Sequence, residues 1–230
     1  MIRIIAECGV NWTNLEEAHE LIRCAAEAHV YACKFQLFNE SVIADSIHKE
    51  ELQDKILDKQ EAYELVQHGK ELGMPLLFTP MYLEAVQWCE EFDVPFIKIR
   101  HADRSNEELI SKALLMNKPI LLSANVYDYP TLAASVWNNL MWKIKLLYCI
   151  SEYPARMEDY MISGQNLLFF NGMSDHTKDL KLLDYANDLT LMEYFEKHVM
   201  LDNPKSAPLE ADWSVKIGEL KEWIERHGNV

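Results

Sequence analysis

Several things are scarce in this chain. No apolar run approaches the ~18 residues needed to cross a membrane; Pro119–Ser123 and Leu167–Phe170 are strand-sized. The cysteines, Cys8, Cys24, Cys33, Cys89 and Cys149, are odd in number, scattered and without CxxC spacing. That pattern excludes a disulfide framework and a zinc knuckle, and it points to reduced thiols in a cytoplasmic setting. Glycine is rare, seven in 230 residues, so the loops must be lean, and no glycine-rich phosphate loop follows the first strand. Basic side chains are short too, 22 against 37 acidic, for a net charge of −15. Such a surface repels nucleic acid and anionic membranes. It also repels a small anionic substrate, unless a local group of Lys and Arg overrules the global field. The opening MIRIIAE reaches Glu7 after a very short apolar stretch and does not read as a signal peptide.

What is present suits one sizeable core. The apolar fraction is 49% and the charged fraction 26%, which excludes a disordered or fibrous chain. Short apolar runs alternate with longer amphipathic segments throughout. Strands are predicted at Ile2–Ala6, Tyr31–Leu37, Pro75–Thr79, Pro95–Ile99, Pro119–Ser123, Lys143–Cys149, Leu167–Met173 and Leu191–Lys197. Between them lie a helix opening at Asn14, a long segment from Lys49 to Leu72 stopped by Gly73-Met74-Pro75, and a helix over Leu83–Phe92. A further helix runs to Met116, with Ser105 and Glu108 at capping-box spacing. Helices over Pro130–Leu140, a weak one near Met157–Ser163, one from about Lys178, and Trp213–Arg226 ended by Gly228 complete the set. Strict alternation predicts an α/β fold, a single (β/α)8 TIM barrel over residues 1–230, with no linker or low-complexity tract. An open doubly wound sheet is the alternative, weakened by the missing phosphate loop.

Barrels of this kind carry their active sites at the C-terminal ends of the strands. Those ends here hold Glu7; Lys34 and Gln36; Thr79; Lys98, Arg100 and Asp103; Ser123 and Asn125; Ser151, Glu152 and Tyr153; Ser174, Asp175 and His176; and Glu196 with His198. Lys34/Gln36, Lys98/Arg100, Ser174/His176 and Glu196/His198 are spaced i, i+2, so each pair points to one side of its strand. A lone histidine at a strand end is ordinarily structural. Two on neighbouring strands, with a carboxylate, suit a divalent ion such as Mn2+ or Zn2+. A lysine in an apolar strand is costly without a partner, and ion pairs with Glu7 or Asp103 would supply one. His19, His29, His48, His68 and His227 fall on helices or loops and read as solvated.

The segments IIAECGVNW, YACKFQLF, LLFTPMYLEAV, PFIKIRHAD, KPILLSANV, LYCISEYPA, GMSDHT and FEKHVMLD follow in order from residue 1 to about 202. They resemble the sialic-acid synthase family, whose usual forms read IIAEIGVNHNG, AVKFQTF, FLSTPFD, FKIASGD, KPVILSTGM, LHCVSEYPA, GYSDHT and IEKHFTLD. The resemblance implies a TIM barrel and a cytoplasmic transferase of carbohydrate biosynthesis. Its reaction condenses phosphoenolpyruvate with an N-acylated amino sugar or related aldehyde, giving a 2-keto-3-deoxy sugar acid and phosphate. By the same resemblance, His176 and His198 match the ligands of a divalent metal, Mn2+ first, with Mg2+, Co2+ or Zn2+ as alternatives. Glu7 matches an acid near metal and sugar, and Asp103 a proton-transfer acid. Lys34, Thr79, Lys98, Ser123 and Ser174 match positions that hold phosphoenolpyruvate. Gln36, Ser151 and Tyr153 match positions lining the acceptor side. No nucleic acid or membrane partner is implied.

Departures from the family pattern are specific. RHAD puts Arg100 and His101 where a glycine and a phosphate-binding serine are usual, so Arg100 either adds a phosphate contact or fills the pocket. SANV replaces STGM, Trp12 and Asn14 replace a histidine and a glycine, and the loop after strand two is shortened. The family's C-terminal antifreeze-like domain is expected to be absent, which leaves its usual homodimer either lost or rebuilt. The competing reading is a non-catalytic descendant that binds an anion or serves as a scaffold. A Schiff-base lyase using Lys34 or Lys98 is a weaker third.

Overall fold

The structure, a computed structural model, describes residues 2–116, 118–134, 142–161 and 167–228. Its strands are β1 (Arg3–Gly9), β2 (Ala32–Leu37), β3 (Leu76–Pro80), β4 (Ile97–Ile99), β5 (Ile120–Ala124), β6 (Ile144–Cys149), β7 (Gly172–Asp175), β8 (Tyr194–Met200) and the short β9 (Val215–Lys216). β1 to β8 are parallel and in sequential order, and β1 also pairs with β8, so the eight close into a barrel. β9 pairs with the upper end of β8. The helices are α1 (Leu15–Glu27), α2 (Glu40–Ile43), α3 (Lys49–Gln53), α4 (Lys59–Glu71), α5 (Leu83–Glu91), α6 (Glu107–Leu115), α7 (Tyr129–Ala134), α8 (Met157–Tyr160), α9 (Lys181–Asp188) and α10 (Ile217–His227). The predicted (β/α)8 barrel is the fold. None of the described helices is long and apolar enough to cross a membrane.

Local chemistry sets the helix ends. The Asn14 side chain accepts from the Glu17 N–H to open α1, whose Ala18, Leu21, Ile22 and Ala25 face the barrel. Asp58 and Glu61 form a capping box for α4, and Gly73 at φ +67° turns the chain out of that helix. The long predicted segment from Lys49 to Leu72 is therefore two helices: the capping box starts a new one, and residues 54–58 lie between them. The helix assigned to a Ser105 cap is capped instead by Asn106, whose side chain accepts from Leu109 N. The last helix starts at Ile217 rather than Trp213, and the one expected from Lys178 starts at Lys181. The predicted Pro130–Leu140 and Met157–Ser163 helices are seen at 129–134 and 157–160; the second ends at the cap residue Met161, and residues 135–140 and 162–163 lie outside the described residues.

Two strands shift. β7 runs from Gly172 to Asp175, not from Leu167. Leu168 and Phe169 are exposed, and only glycine fits at 172, because a Cβ there would strike the Tyr194 carbonyl. β8 extends to Met200, which places His198 inside the strand.

Period 2 along the strands sorts the barrel interior into levels. Ile5, Ala32, Leu77, Leu121, Leu147 and Tyr194 form an apolar plug low in the barrel, joined by Tyr31 and Phe96. Each inward position two residues further on opens to the mouth, whereas the outward-facing residues join the large core beneath the helices. All five cysteines are free thiols, with Cys8 and Cys33 meeting at 3.1 Å between β1 and β2. His19 and His68, expected to be solvated, stack on one another at 4.7 Å between α1 and α4.

Candidate active site

Two residues above the plug, the same strands turn polar. Ile5 is followed by Glu7, Ala32 by Lys34, Leu77 by Thr79 and Phe96 by Lys98. Leu121 leads to Ser123, Leu147 to Cys149, Gly172 to Ser174 and Tyr194 to Glu196. One step higher come Gln36, Arg100, His176 and His198. All twelve of these side chains line one cleft of about 310 Å3, together with Met81, His101, Tyr153, Glu210 and Trp213. That volume lies at the lower end of the range for small-ligand sites, roughly 300–1,000 Å3.

At the floor, Glu196 accepts from Lys98 Nζ at 2.9 Å and from Ser174 Oγ at 2.8 Å, and its other oxygen is 3.5 Å from Lys34 Nζ. Lys34 also donates to Thr79 Oγ1 at 2.8 Å and is closely paired with Glu7. These groups are almost fully buried. Burial alone pulls the Lys34 ammonium down, but Glu196 and Glu7 outweigh it and hold the lysine charged. For Glu196 burial acts upward, and the two lysines reverse it, keeping the carboxylate well below its ordinary range. Glu7 ends above its usual value because burial exceeds the help of Lys34, with Glu196 adding to the rise. The cleft therefore concentrates basic groups as the sequence suggests, yet Glu7, Glu196 and Glu210 line it beside Lys34, Lys98 and Arg100.

The histidine rings lie 5.4 Å apart, centre to centre. His176 Nδ1 meets the Ile150 carbonyl at 2.6 Å, and His198 Nδ1 meets Glu210 Oε2 at 3.1 Å. Both contacts engage the same ring nitrogen and, among the described residues, leave Nε2 without a hydrogen bond, the arrangement of a metal-binding imidazole steadied from behind. Burial, then the His198 charge, push His176 well below 6.5 and so keep it neutral. For His198 burial acts downward, but Glu210 prevails and the ring is raised. Among the described residues no three or more His, Cys, Asp or Glu side chains form a metal cage. The pair fits a divalent ion only as two protein ligands, with water or substrate oxygens completing the shell.

Position by position, Glu7, Lys34, Gln36, Thr79, Lys98, Arg100, Ser123, Tyr153, Ser174, His176 and His198 line the cleft. Asp103 and Ser151 do not: Asp103 pairs with Arg100 at 2.6 Å, and Ser151 is exposed. Arg100 stands half-exposed at the mouth, and His101 turns to Asp128 at 3.1 Å, tying the RHAD turn to the loop after β5. Tyr153 lies 4.2 Å from the His176 ring.

Other cleft residues carry weaker sequence signals. Glu196 is marked by its spacing from His198 but given no role by the motifs. Cys149 follows Leu147 at the inward spacing, and burial drives its thiol up to about 12, which keeps it protonated. Glu210 and Trp213 belong to the irregular segment after β8: no periodicity announces Glu210, and Trp213, expected to open the last helix, ends a 3-10 turn instead. That segment is pinned from the end of the neighbouring strand β1: Asn11 Oδ1 accepts from Glu210 N at 3.2 Å, and Asn11 Nδ2 donates to Val199 O and Ser214 Oγ, each at 2.8 Å. Gly9 at φ +45° makes the space, since a Cβ there would run into the Glu210 carboxylate.

Comparison with known proteins agrees with the barrel fold. An uncharacterized protein of Methanocaldococcus jannaschii is 32% identical, matched over 96% of this chain and 68% of its own. The N,N'-diacetyllegionaminic acid synthase of Campylobacter jejuni is 28% identical over 95% of this chain and 73% of its own. The crystal structure of an N-acetylneuraminic acid synthetase from Leptospira borgpetersenii superposes with a TM-score of 0.87 at 25% identity, covering 100% of this chain and 86% of that one. The NeuB family model matches residues 21–230, and on that match the chain belongs to the NeuB family.

Proposed function

We propose that this barrel is a synthase that condenses phosphoenolpyruvate with an aldehyde-bearing amino sugar, giving a 2-keto-3-deoxy sugar acid and phosphate. The observation that carries the reading is the placement of two buried lysines, among Thr79, Ser123 and Ser174, below a histidine pair whose Nε2 atoms are unengaged. The relatives support it, being named as synthases of legionaminic, pseudaminic and neuraminic acids.

In this reading Lys34 and Lys98 hold the carboxylate and phosphate of phosphoenolpyruvate, with the hydroxyls of Thr79, Ser123 and Ser174 as directional hydrogen-bonding partners around them. Arg100 adds a planar cation at the mouth, where Asp103 fixes its orientation. A divalent ion held by His176 and His198, Mn2+ in our reading, supplies Lewis-acid polarisation of the acceptor carbonyl when bound. C3 of phosphoenolpyruvate attacks the carbonyl carbon, water adds at C2, and C–O cleavage of the tetrahedral species releases phosphate. Glu7, buried and raised, is placed to hold the proton that the new hydroxyl needs. Gln36 donates toward Glu7 at 3.3 Å and Glu210 at 3.4 Å, and so fixes the acceptor side of the floor.

The test is phosphate release from phosphoenolpyruvate with a panel of N-acylated amino sugars, each with and without a terminal phosphate, and Mn2+ present. Release that disappears on chelation and in His176→Ala supports the reading. No release from the whole panel, with phosphoenolpyruvate still binding, would leave an anion-binding descendant in its place.

A further inference from the structure

The aromatic wall of the cleft has a member that no motif explains. Trp213 ends a short 3-10 turn, Ala211–Trp213, directly after Glu210. Its indole stands edge-on to Tyr153 at 5.3 Å and to His198 at 6.3 Å, and Tyr153 in turn covers His176. Trp213 lines the cleft, and its Nε1 is buried without a hydrogen-bond partner. Buried indole N–H groups ordinarily find one.

The turn is held in place before any ligand arrives. Ser214 Oγ donates to the Glu210 carbonyl at 2.7 Å, Asn11 holds Ser214, and Trp213 N reaches Glu210 O at 3.3 Å. A rigid aromatic beside carboxylate and amide groups is suited to a molecule that is apolar on one face and hydroxylated at its edges. That description fits a sugar and not a two- or three-carbon aldehyde, which would leave the indole uncovered and the hydrogen-bonding groups unmatched.

We propose that Trp213 is a specificity-determining residue for the acceptor: it packs against the C–H face of a sugar beside the histidine pair and makes the site select a polyhydroxylated amino sugar over a simple aldehyde. The inference rests on the condensation reading for what happens next, but the binding it describes stands separately.

Steady-state phosphate release by the full chain with Mn2+, varying N-acetylmannosamine and phosphoenolpyruvate in turn, tests it in Trp213→Ala and Trp213→Phe. Trp213→Ala is expected to raise the acceptor KM about tenfold or more and leave the phosphoenolpyruvate KM within about twofold. Trp213→Phe, which keeps a stacking face and the packing against Tyr153, falls between the two and covers the case in which the alanine variant does not fold. An unchanged acceptor KM, or a parallel rise in both KM values, overturns the inference. Calorimetric titration of N-acetylmannosamine and glycolaldehyde into the same proteins separates the two proposals. Sugar binding that Trp213→Ala weakens, without turnover by any variant, sinks the condensation reading and keeps this one. Turnover that prefers glycolaldehyde does the reverse. No sugar binding by the wild type overturns the role of Trp213 outright.

Discussion

Glu196→Gln isolates the charge that holds the floor of the cleft together. The substitution preserves shape and leaves Ser174 a partner, so no cavity forms and the loss is almost purely electrostatic. Lys98 loses the carboxylate 2.9 Å away, and Lys34 keeps only Glu7. Removing one member of a buried ion pair typically costs about 3–5 kcal/mol, because the other charge stays buried and unpaired. The side chains here are 3–4% exposed, so solvent offers little relief. For a chain of this size each kcal/mol moves the melting temperature by roughly 2–4 °C, which puts the expected drop at about 6–20 °C. Thermal melts followed by circular dichroism at pH 7 give the number. Phosphoenolpyruvate should then raise the melting temperature of the variant more than that of the wild type, since the ligand brings back the missing negative charge. A variant that melts within about 2 °C of wild type, with the same ligand-induced shift, would refute the assignment of Glu196 as counter-ion to both lysines.

Other perturbations test neighbouring parts of the same construction. Glu17 accepts from Thr13 N and Lys205 N, each at 2.7 Å, and from the Thr13 hydroxyl. Burial works to raise its carboxyl, but these donors prevail and lower it from 4.5. A depressed carboxylate stabilises the fold above its ordinary value and loses that contribution as pH falls through the lowered one. Glu17→Gln should therefore cost about 1.5–3 kcal/mol at pH 7, and urea titrations should show the gap to wild type closing below pH 4.5. Asp175 and Lys197 form a fully buried pair at 3.0 Å between β7 and β8. Asp175→Asn is expected to cost about 3–5 kcal/mol, much of it recovered in Asp175→Asn/Lys197→Met, as denaturant midpoints will show. Gly9→Ala combines a left-handed backbone penalty of about 1–2 kcal/mol with displacement of Glu210. It should lower both the melting temperature and the rate of phosphate release, and an unchanged rate would count against a role for Glu210.

The sequence by itself determined the barrel and most of the ring of side chains at its mouth, and the reason is periodicity. A strand buried on both faces is apolar at nearly every position, so Lys34, Lys98, Ser174 and His176 stand out as polar exceptions whose period-2 spacing already says which side they face. Helix ends were legible where a cap or a glycine turn acts locally, as at Asn14 and Gly73. They were misread where competing caps lie close together, as with Ser105 and Asn106. The start of β7 depended on contact across the sheet: only the Tyr194 backbone explains why Gly172, and not the apolar run before it, opens the strand. Tertiary structure alone decided the balance of charge, since Glu196 faces Lys34 and Lys98 from strands far away in the chain. It also decided the acceptor side. Glu210 comes from an irregular segment with no period to read, Trp213 from what the sequence reads as the start of the last helix, and both reach the cleft because Asn11, about two hundred residues earlier, ties that segment down. Local order is written in spacing along one strand; a site shared among strands exists only once the barrel has closed.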